Sequence, residues 1–216
     1  FIDETLAEHR PNDAVLSEEA ADDSDRLTAD RVWIIDPLDG TQEYSEFDRA
    51  DWAVHIALWE RKDADGKPSD EGSITQAAVA LPAYNMTLST HQLPKTPDRH
   101  EGKPRLVVSR NRATREAVIV AEALDCDVAR LGSAGAKTMA VVLGEVDIYV
   151  HAGGMYQWDS AAPIAVAAAA GLFTSRIDGT PLVYNRRDAW LPDLVVCQQH
   201  LAQQVIDALR AGRLGA

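Results

Sequence analysis

Two carboxylates three residues apart, Asp36 and Asp39, followed at once by Gly40 and Thr41, are the residues of this chain best placed to do chemistry. Hard divalent cations such as Mg2+ take oxygen ligands, often one or two carboxylates with water and substrate phosphate, and the backbone carbonyl of Leu38 can join them. Gly40 lets the backbone approach a ligand closely, and the amides after Asp39 can face a phosphate oxygen. Thr41 adds a hydroxyl at the same spot. An ordinary Asp-Pro or Asp-Gly turn is written with the same residues. The Asp-x-x-Asp spacing differs from the Asp-x-Asp pattern of phosphatases with an aspartate nucleophile, so water activated by a metal fits better.

The elements around the motif are read from periodicity. Val32 to Ile35 is a short apolar run with β-branched residues, which predicts a buried strand stopped by Pro37 and turned by Gly40. Val15 and Leu16 form a short strand leading to Ser17, Glu18 and Glu19, and Asp22 to Asp30 reads as a polar loop, a solvated connector or a lid. Trp52 to Trp59, Ile74 to Leu81 and Asn85 to Thr90 read as antiparallel strands. Residues 91–104, with Pro94, Pro97 and Pro104, suggest a boundary between an N-terminal α+β half (1–104) and a C-terminal α/β half (105–216) forming one compact unit. Beyond it strands and helices alternate: a strand at 105–108, a helix at 113–124, a strand at 128–131, a helix at 136–143, a strand at 146–150 and a helix at 158–170. A strand at 194–197 and a closing helix from Leu201 complete the α/β half. Phe1 to His9 reads as the tail of an amphipathic helix entered midway, so further chain is expected upstream.

Other residues offer ligands to the same site. Glu18 follows a strand and can add a carboxylate, although glutamate is also a common surface residue. Asp159 opens an apolar helix and reads either as a helix cap or as a carboxylate aimed at a metal, with Pro163 expected in the first turn, where no amide donor is needed. Gly132 to Thr138 falls short of a nucleotide-binding loop because Ala136, not glycine, precedes Lys137, yet a helix start there can present amides to an anion. Ser109, Arg110, Asn111 and Arg112 open the next helix, and the arginines can hold a second anionic group or be solvated. No histidine spacing marks a zinc protease, and neither G-x-S-x-G nor G-x-G-x-x-G occurs.

The chain has 216 residues, 46% hydrophobic and 25% charged, enough for a substantial core. A net charge of −13 argues against nonspecific nucleic-acid binding, which draws on lysine and arginine. Acidic residues that hold cations would reconcile that charge with a phosphorylated small substrate. Apolar stretches are too short or too alanine-rich for a membrane span, and no signal pattern is present, so a cytoplasmic protein is the expectation. Cys126 and Cys197 read as free thiols in apolar surroundings. The oligomeric state is left open, a homodimer included.

Ser17-Glu18-Glu19, Asp36-Pro37-Leu38-Asp39-Gly40-Thr41 and Trp158-Asp159-Ser160-Ala161-Ala162 resemble the three ordered motifs of the inositol monophosphatase superfamily. The resemblance implies a layered αβαβα sandwich, of mixed α+β and α/β character, and two or three Mg2+ ions held by Glu18, Asp36, Asp39, Asp159 and the carbonyl of Leu38. The continuation Gln42-Glu43-Tyr44, with Ser109-Arg110 and Gly132-Ser133, is similar to the CysQ-type branch of 3′(2′),5′-bisphosphate nucleotidases. Ala152 stands where inositol enzymes usually place a glutamate. The implied reaction is Mg2+-dependent hydrolysis of 3′-phosphoadenosine 5′-phosphate to AMP, a step of sulfur metabolism, with lithium sensitivity. Glu18, Asp36, Asp39 and Thr41 would be catalytic. Glu18, Leu38, Asp39, Gly40, Thr41, Asp159, Arg110 and Ser133 would contact substrate. Inositol monophosphatase or fructose-1,6-bisphosphatase activity is the alternative on the same fold, and a non-catalytic acidic binding protein is the alternative of another class. The family's upstream Thr-x-x-Asp motif, whose aspartate orients the threonine matching Thr41, does not precede Glu18.

Overall fold

A computed structural model of the chain describes residues 1–63, 65–94 and 102–214, the side chain of 214 excepted. In chain order the elements are α1 (Ile2–His9), β1 (Ala14–Ser17), β2 (Arg31–Asp39), α2 (Thr41–Ser45), β3 (Ala53–Lys62), β4 (Pro68–Leu81), β5 (Met86–Ser89) and β6 (Arg105–Ser109). There follow α3 (Arg115–Ala123), β7 (Asp127–Leu131), α4 (Ala134–Val142), β8 (Ile148–His151), β9 (Met155–Tyr156) and α5 (Gln157–Ala169). The chain ends with β10 (Phe173–Ser175), β11 (Trp190–Leu191), β12 (Leu194–Cys197) and α6 (Ala202–Leu214). Part of the expected boundary at 91–104 lies outside the described residues.

Two five-stranded sheets form, in the orders β1-β2-β3-β4-β5 and β10-β12-β8-β6-β7. In the first, β1 runs parallel to β2 and the other pairs are antiparallel. Its inward residues alternate as a strand of period two requires: Val32 and Ile34 on β2 meet Ala57 and Trp59 on β3 and Val79 on β4 in one core. The same core takes in Met139 and Val142 of α4, Ala161 and Val166 of α5, and Val107, Tyr149 and Val196 of the second sheet. Helices α4 and α5 are therefore sandwiched between the sheets. A second core joins Leu106, Ile148 and Val195 to Val120 of α3 and Val205 and Leu209 of α6 on the far face. The layers run sheet, helices, sheet, helices; α1 buries none of its residues. Among the described residues no helix is long and apolar enough to cross a membrane.

Three local expectations are corrected. Strand β2 does not stop at Pro37 but continues to Asp39. Proline is accommodated because β1 has already ended opposite Ile35 and the β2–β3 register shifts between Asp36 and Asp39, where the ladder needs no amide from residue 37. Pro163 is not in the first turn, since α5 begins at Gln157 and the proline falls one turn further in. It removes the donor that would have reached the Asp159 carbonyl. The 22–30 loop is no free connector either. It contains a short 3-10 turn, Ser24–Leu27, and Arg26, only 1% exposed, whose guanidinium pairs with Asp22 and donates to Asn185 Oδ1 and to the Arg186 and Arg187 carbonyls. Asn185 Nδ2 returns a bond to the Arg26 carbonyl, riveting the loop to residues 185–187.

Candidate active site

The register shift in β2 is what makes a site of the two aspartates. Residues three apart on a regular strand point to opposite faces. Asp36 pairs with His55, whereas Asp39 pairs with Ala53, so β2 carries one residue more than β3 over this stretch. That bulge turns both carboxylates to the same side. Asp36 Oδ1 accepts the Leu38 amide at 2.9 Å, which satisfies a backbone donor inside the bulge. Gly40 follows at φ +89°, and a Cβ there would lie 2.9 Å from Ser133 Cβ, so both conformation and space demand glycine.

Asp39 is held from the second half of the chain. Its Oδ2 accepts the Gly135 amide at 2.6 Å and its Oδ1 the Ala134 amide at 3.3 Å. The amides at the start of α4 thus face an anion, as the sequence suggested, and the anion is the protein's own carboxylate. Behind it lies His55, wholly buried. His55 Nδ1 is 3.2 Å from the Trp158 carbonyl, an acceptor only, so Nδ1 carries a proton. His55 Nε2 stands 3.2 Å from Asp39 Oδ2, close enough for charge attraction but off the line of a hydrogen bond, and it has no other partner among the described residues. Gly135 makes room for this ring, since a Cβ there would come within 2.1 Å of Nε2.

The third carboxylate arrives from α5. Asp159 Oδ2 accepts the Tyr156 amide at 2.6 Å, closing a capping box, so the residue is both cap and site member. One carboxylate oxygen from each of Asp36, Asp39 and Asp159 lies within 4.8 Å of the others. Glu18 is exposed at the mouth; its amide bonds the Ile35 carbonyl, and its charge presses on both Asp36 and Asp159.

The electrostatics are lopsided. Burial, then the neighbouring charges of Asp39 and Glu18, raise the Asp36 carboxyl well above the usual carboxylate range. Burial, with Asp39 and Glu18 adding to it, lifts Asp159 to about 6. Burial acts on Asp39 in the same sense, but His55, the Gly135 amide and Lys137 outweigh it and keep this carboxyl below its ordinary value. His55 moves the other way from what burial alone would do, because Asp39 raises it. Two buried acids and one half-buried, only Asp39 of them held below its ordinary value, are a donor set suited to a hard cation.

The remaining sequence candidates fall into two groups. Thr41 is exposed beside the cluster and donates its hydroxyl to the Leu38 carbonyl at 3.3 Å, so both stay at the mouth. Ser133 is buried under Gly40, its hydroxyl accepting the Ala136 amide as the cap of α4. Arg110 is clasped by Glu46 and lies 3.4 Å from Glu43, so its charge is already shared with two carboxylates. Lys137 folds back on the Gly132 and Ser133 carbonyls, and burial brings its ammonium down to about 8. Sequence reasoning missed His55, Gly135 and Asp51, whose Oδ2 accepts the Gly132 amide at 2.6 Å. His55 carried one signal: it interrupts the apolar face of β3 directly opposite Asp36.

The fold and the acidic cluster agree with one class of protein. The chain belongs to the inositol monophosphatase family, whose model matches residues 1–212. It is 50% identical over 207 residues to the 3′-phosphoadenosine 5′-phosphate phosphatase of Mycobacterium bovis, an alignment that covers 94% of this chain and 76% of that protein. It is 31% identical over 193 residues to the 3′(2′),5′-bisphosphate nucleotidase CysQ of Escherichia coli K12, covering 84% and 74%. In fold it is similar to inositol monophosphatase II of Staphylococcus aureus, with a TM-score of 0.76, 20% identity, and 96% and 80% of the two chains covered.

Proposed function

We propose that this chain hydrolyses 3′-phosphoadenosine 5′-phosphate to AMP and phosphate, using Mg2+ held by Asp36, Asp39, Asp159, Glu18 and the Leu38 carbonyl. The observation that carries the reading is the cluster of three carboxylates within 4.8 Å, two of them raised by burial and neighbouring acids despite the nearby His55. The kinship to the mycobacterial phosphatases supports the substrate. Bound divalent cations would lower the pKa of water and screen the charge of the transferred phosphoryl group.

The chain's own residues do the positioning. The turn of Gly40 and Thr41 offers backbone amides to the phosphate, and the glycine lets it approach. The Thr41 hydroxyl, at the Leu38 carbonyl, orients the attacking water. Water forms the new P–O bond as the bond to the 3′ oxygen breaks, and that oxygen leaves with a proton. Little beyond such positioning and charge stabilisation is needed for phosphoryl transfer. Residues 1–104 and 105–216 act as one unit, since the former supplies Glu18, Asp36 and Asp39 and the latter Asp159 and the amides that hold Asp39. The activity belongs to sulfur metabolism and nucleotide recycling.

The test is phosphate release by the full-length protein from 3′-phosphoadenosine 5′-phosphate, inositol 1-phosphate and fructose 1,6-bisphosphate, with and without Mg2+. Turnover of the first, Mg2+-dependent and lowered by Li+, is expected. Preference for inositol 1-phosphate or the sugar bisphosphate would overturn the substrate, and no turnover of any would overturn the enzyme.

A further inference from the structure

We propose that Arg26, Asn185 and Gln157 form a clasp that fixes Glu18 against Asp159, which makes the three of them positioning residues for the cation. This rests on the reading of the acidic cluster as a cation site.

Asp36 and Asp39 are aimed by one bulge and by the start of α4, whereas Glu18 and Asp159 come from segments far apart in the chain. Glu18 is exposed, and among the described residues neither a hydrogen bond nor an ion pair holds its side chain. Its placement is therefore that of the loop it opens. Further along that loop Asp22 takes two edges of the Arg26 guanidinium, Nε at 2.6 Å and Nη2 at 3.0 Å. The other N–H groups reach Asn185 Oδ1 at 2.9 Å and the Arg186 and Arg187 carbonyls at 3.0 and 3.3 Å. All five donors of the side chain are thus used.

The same stretch grips α5 on its other side. The Asn185 amide donates to Gln157 Oε1 at 2.6 Å, and Gln157 Nε2 donates to the Asp188 carbonyl at 2.9 Å. The Gln157 amide reaches the Ala189 carbonyl at 2.8 Å. Gln157 is the first residue of α5, and Asp159 follows in the same turn. Asn185 stands between the two grips at φ +54°, a left-handed conformation in which asparagine is enriched. Arg26 and Gln157 are each 1% exposed, and Asn185 is buried. Apolar packing could join these segments, but directional bonds between buried polar groups hold them in one arrangement. The charge of Glu18 bears on Asp159, so a slip of the loop changes the spacing of carboxylates around a cation. Partners that orient metal ligands commonly govern metal affinity in this way.

The test uses Arg26→Lys, Asn185→Gly and Gln157→Met in the full-length protein. Lysine keeps a charge opposite Asp22 but brings three donors where five are used. Glycine keeps the left-handed turn, and methionine fills the space of glutamine without its amide. Hydrogen exchange of the metal-free protein, followed by mass spectrometry, should show residues 22–27 exchanging about tenfold faster in Gln157→Met, with β8 unchanged. Gln157 has no hydrogen bond to that loop, so the effect must pass through Asn185. Mn2+ titration, read from the spin resonance of the free ion, should show a Kd raised about tenfold in each variant. In a Glu18→Gln background Arg26→Lys should weaken Mn2+ binding no further, while its loss of melting temperature persists. Asn185→Gly serves in the same cycle if lysine at 26 does not fold. Penalties on Mn2+ affinity that add in the double variant, or exchange at 22–27 that ignores Gln157→Met, would overturn the clasp. A wild type that binds no Mn2+ would overturn the cation site itself, and with it the positioning role, even where the exchange coupling is found.

Discussion

His55 Nε2 lies 3.2 Å from Asp39 Oδ2, whereas Asp36, the cross-strand partner of the same histidine, is left to face two other acids. One imidazole thus offsets two neighbouring carboxylates unequally, leaving Asp39 lowered and Asp36 raised. Substituting each should separate stability from activity.

Asp36→Asn removes a buried carboxyl whose ionisation is opposed by burial, Asp39 and Glu18 more than His55 favours it, so the metal-free protein should melt higher, by about 1 to 2 kcal/mol of stability. Asp39→Asn takes from buried His55 the carboxylate that raises it and weakens the hold on the Gly135 amide, which should cost about 3 kcal/mol. Both should lower Mg2+-dependent phosphate release roughly 100-fold or more. Thermal melts in a chelator, paired with phosphate assays, check the opposite signs; turnover unchanged in both variants would sink the proposed mechanism.

His55→Gln and Gly135→Ala should resemble each other. The first deletes the ring between Asp39 and the Trp158 carbonyl, and the second drives a Cβ to within 2.1 Å of Nε2 and forces the ring aside. Each should lower the melting temperature by several degrees, corresponding to about 2 to 3 kcal/mol, and weaken Mn2+ binding measured by titration. Normal Mn2+ affinity in Gly135→Ala would show that the ring can move without disturbing the acids.

Gly40→Ala places a side chain at φ +89° and 2.9 Å from Ser133 Cβ. Roughly 1 to 2 kcal/mol of backbone strain is expected from the angle alone, with a further loss as Ser133 and the start of α4 are displaced. Phosphate release should fall more than stability does, since the turn itself is moved.

Stability of the metal-free protein should fall as pH rises. Asp159 has a folded pKa of about 6, above its unfolded value near 3.8, and Asp36 is raised as well. The unfolded chain therefore loses these protons first, so their favourable contribution is complete below pH 4 and gone above about pH 6 for Asp159, roughly 2 to 3 kcal/mol. Mg2+ should restore more stability at pH 8 than at pH 5. Melting curves at both values, in chelator and in Mg2+, check it.

Much of the candidate site was legible because its chemistry is written in local residue types. Glu18, Asp36, Leu38, Asp39, Gly40, Thr41 and Asp159 stand at the ends of apolar runs, where strands and helices end. The strand and helix alternation after Arg105 could be read from periodicity for the same reason. What was hidden depends on tertiary partners. Pro37 reads as a strand stop until it is known that β1 has ended beside it and that a bulge absorbs the missing amide. Arg26 reads as loop charge until Asn185, far along the chain, is seen to receive it. His55 looks like one of six scattered histidines because its meaning lies in the facing strand, and the Glu43 and Glu46 partners of Arg110 are equally invisible in the local sequence.

The bonds from the start of α4 to Asp39 join groups 95 and 96 residues apart in sequence. A nascent or unfolding chain that has closed only its first sheet has the two aspartates without the amides that aim one of them, and without Asp159. The arrangement that could hold a cation thus exists only in the finished fold, and the unfolded ensemble offers nothing comparable. By mass action a divalent cation held as proposed would stabilise the native state alone, and limited proteolysis should slow as the Mg2+ concentration rises.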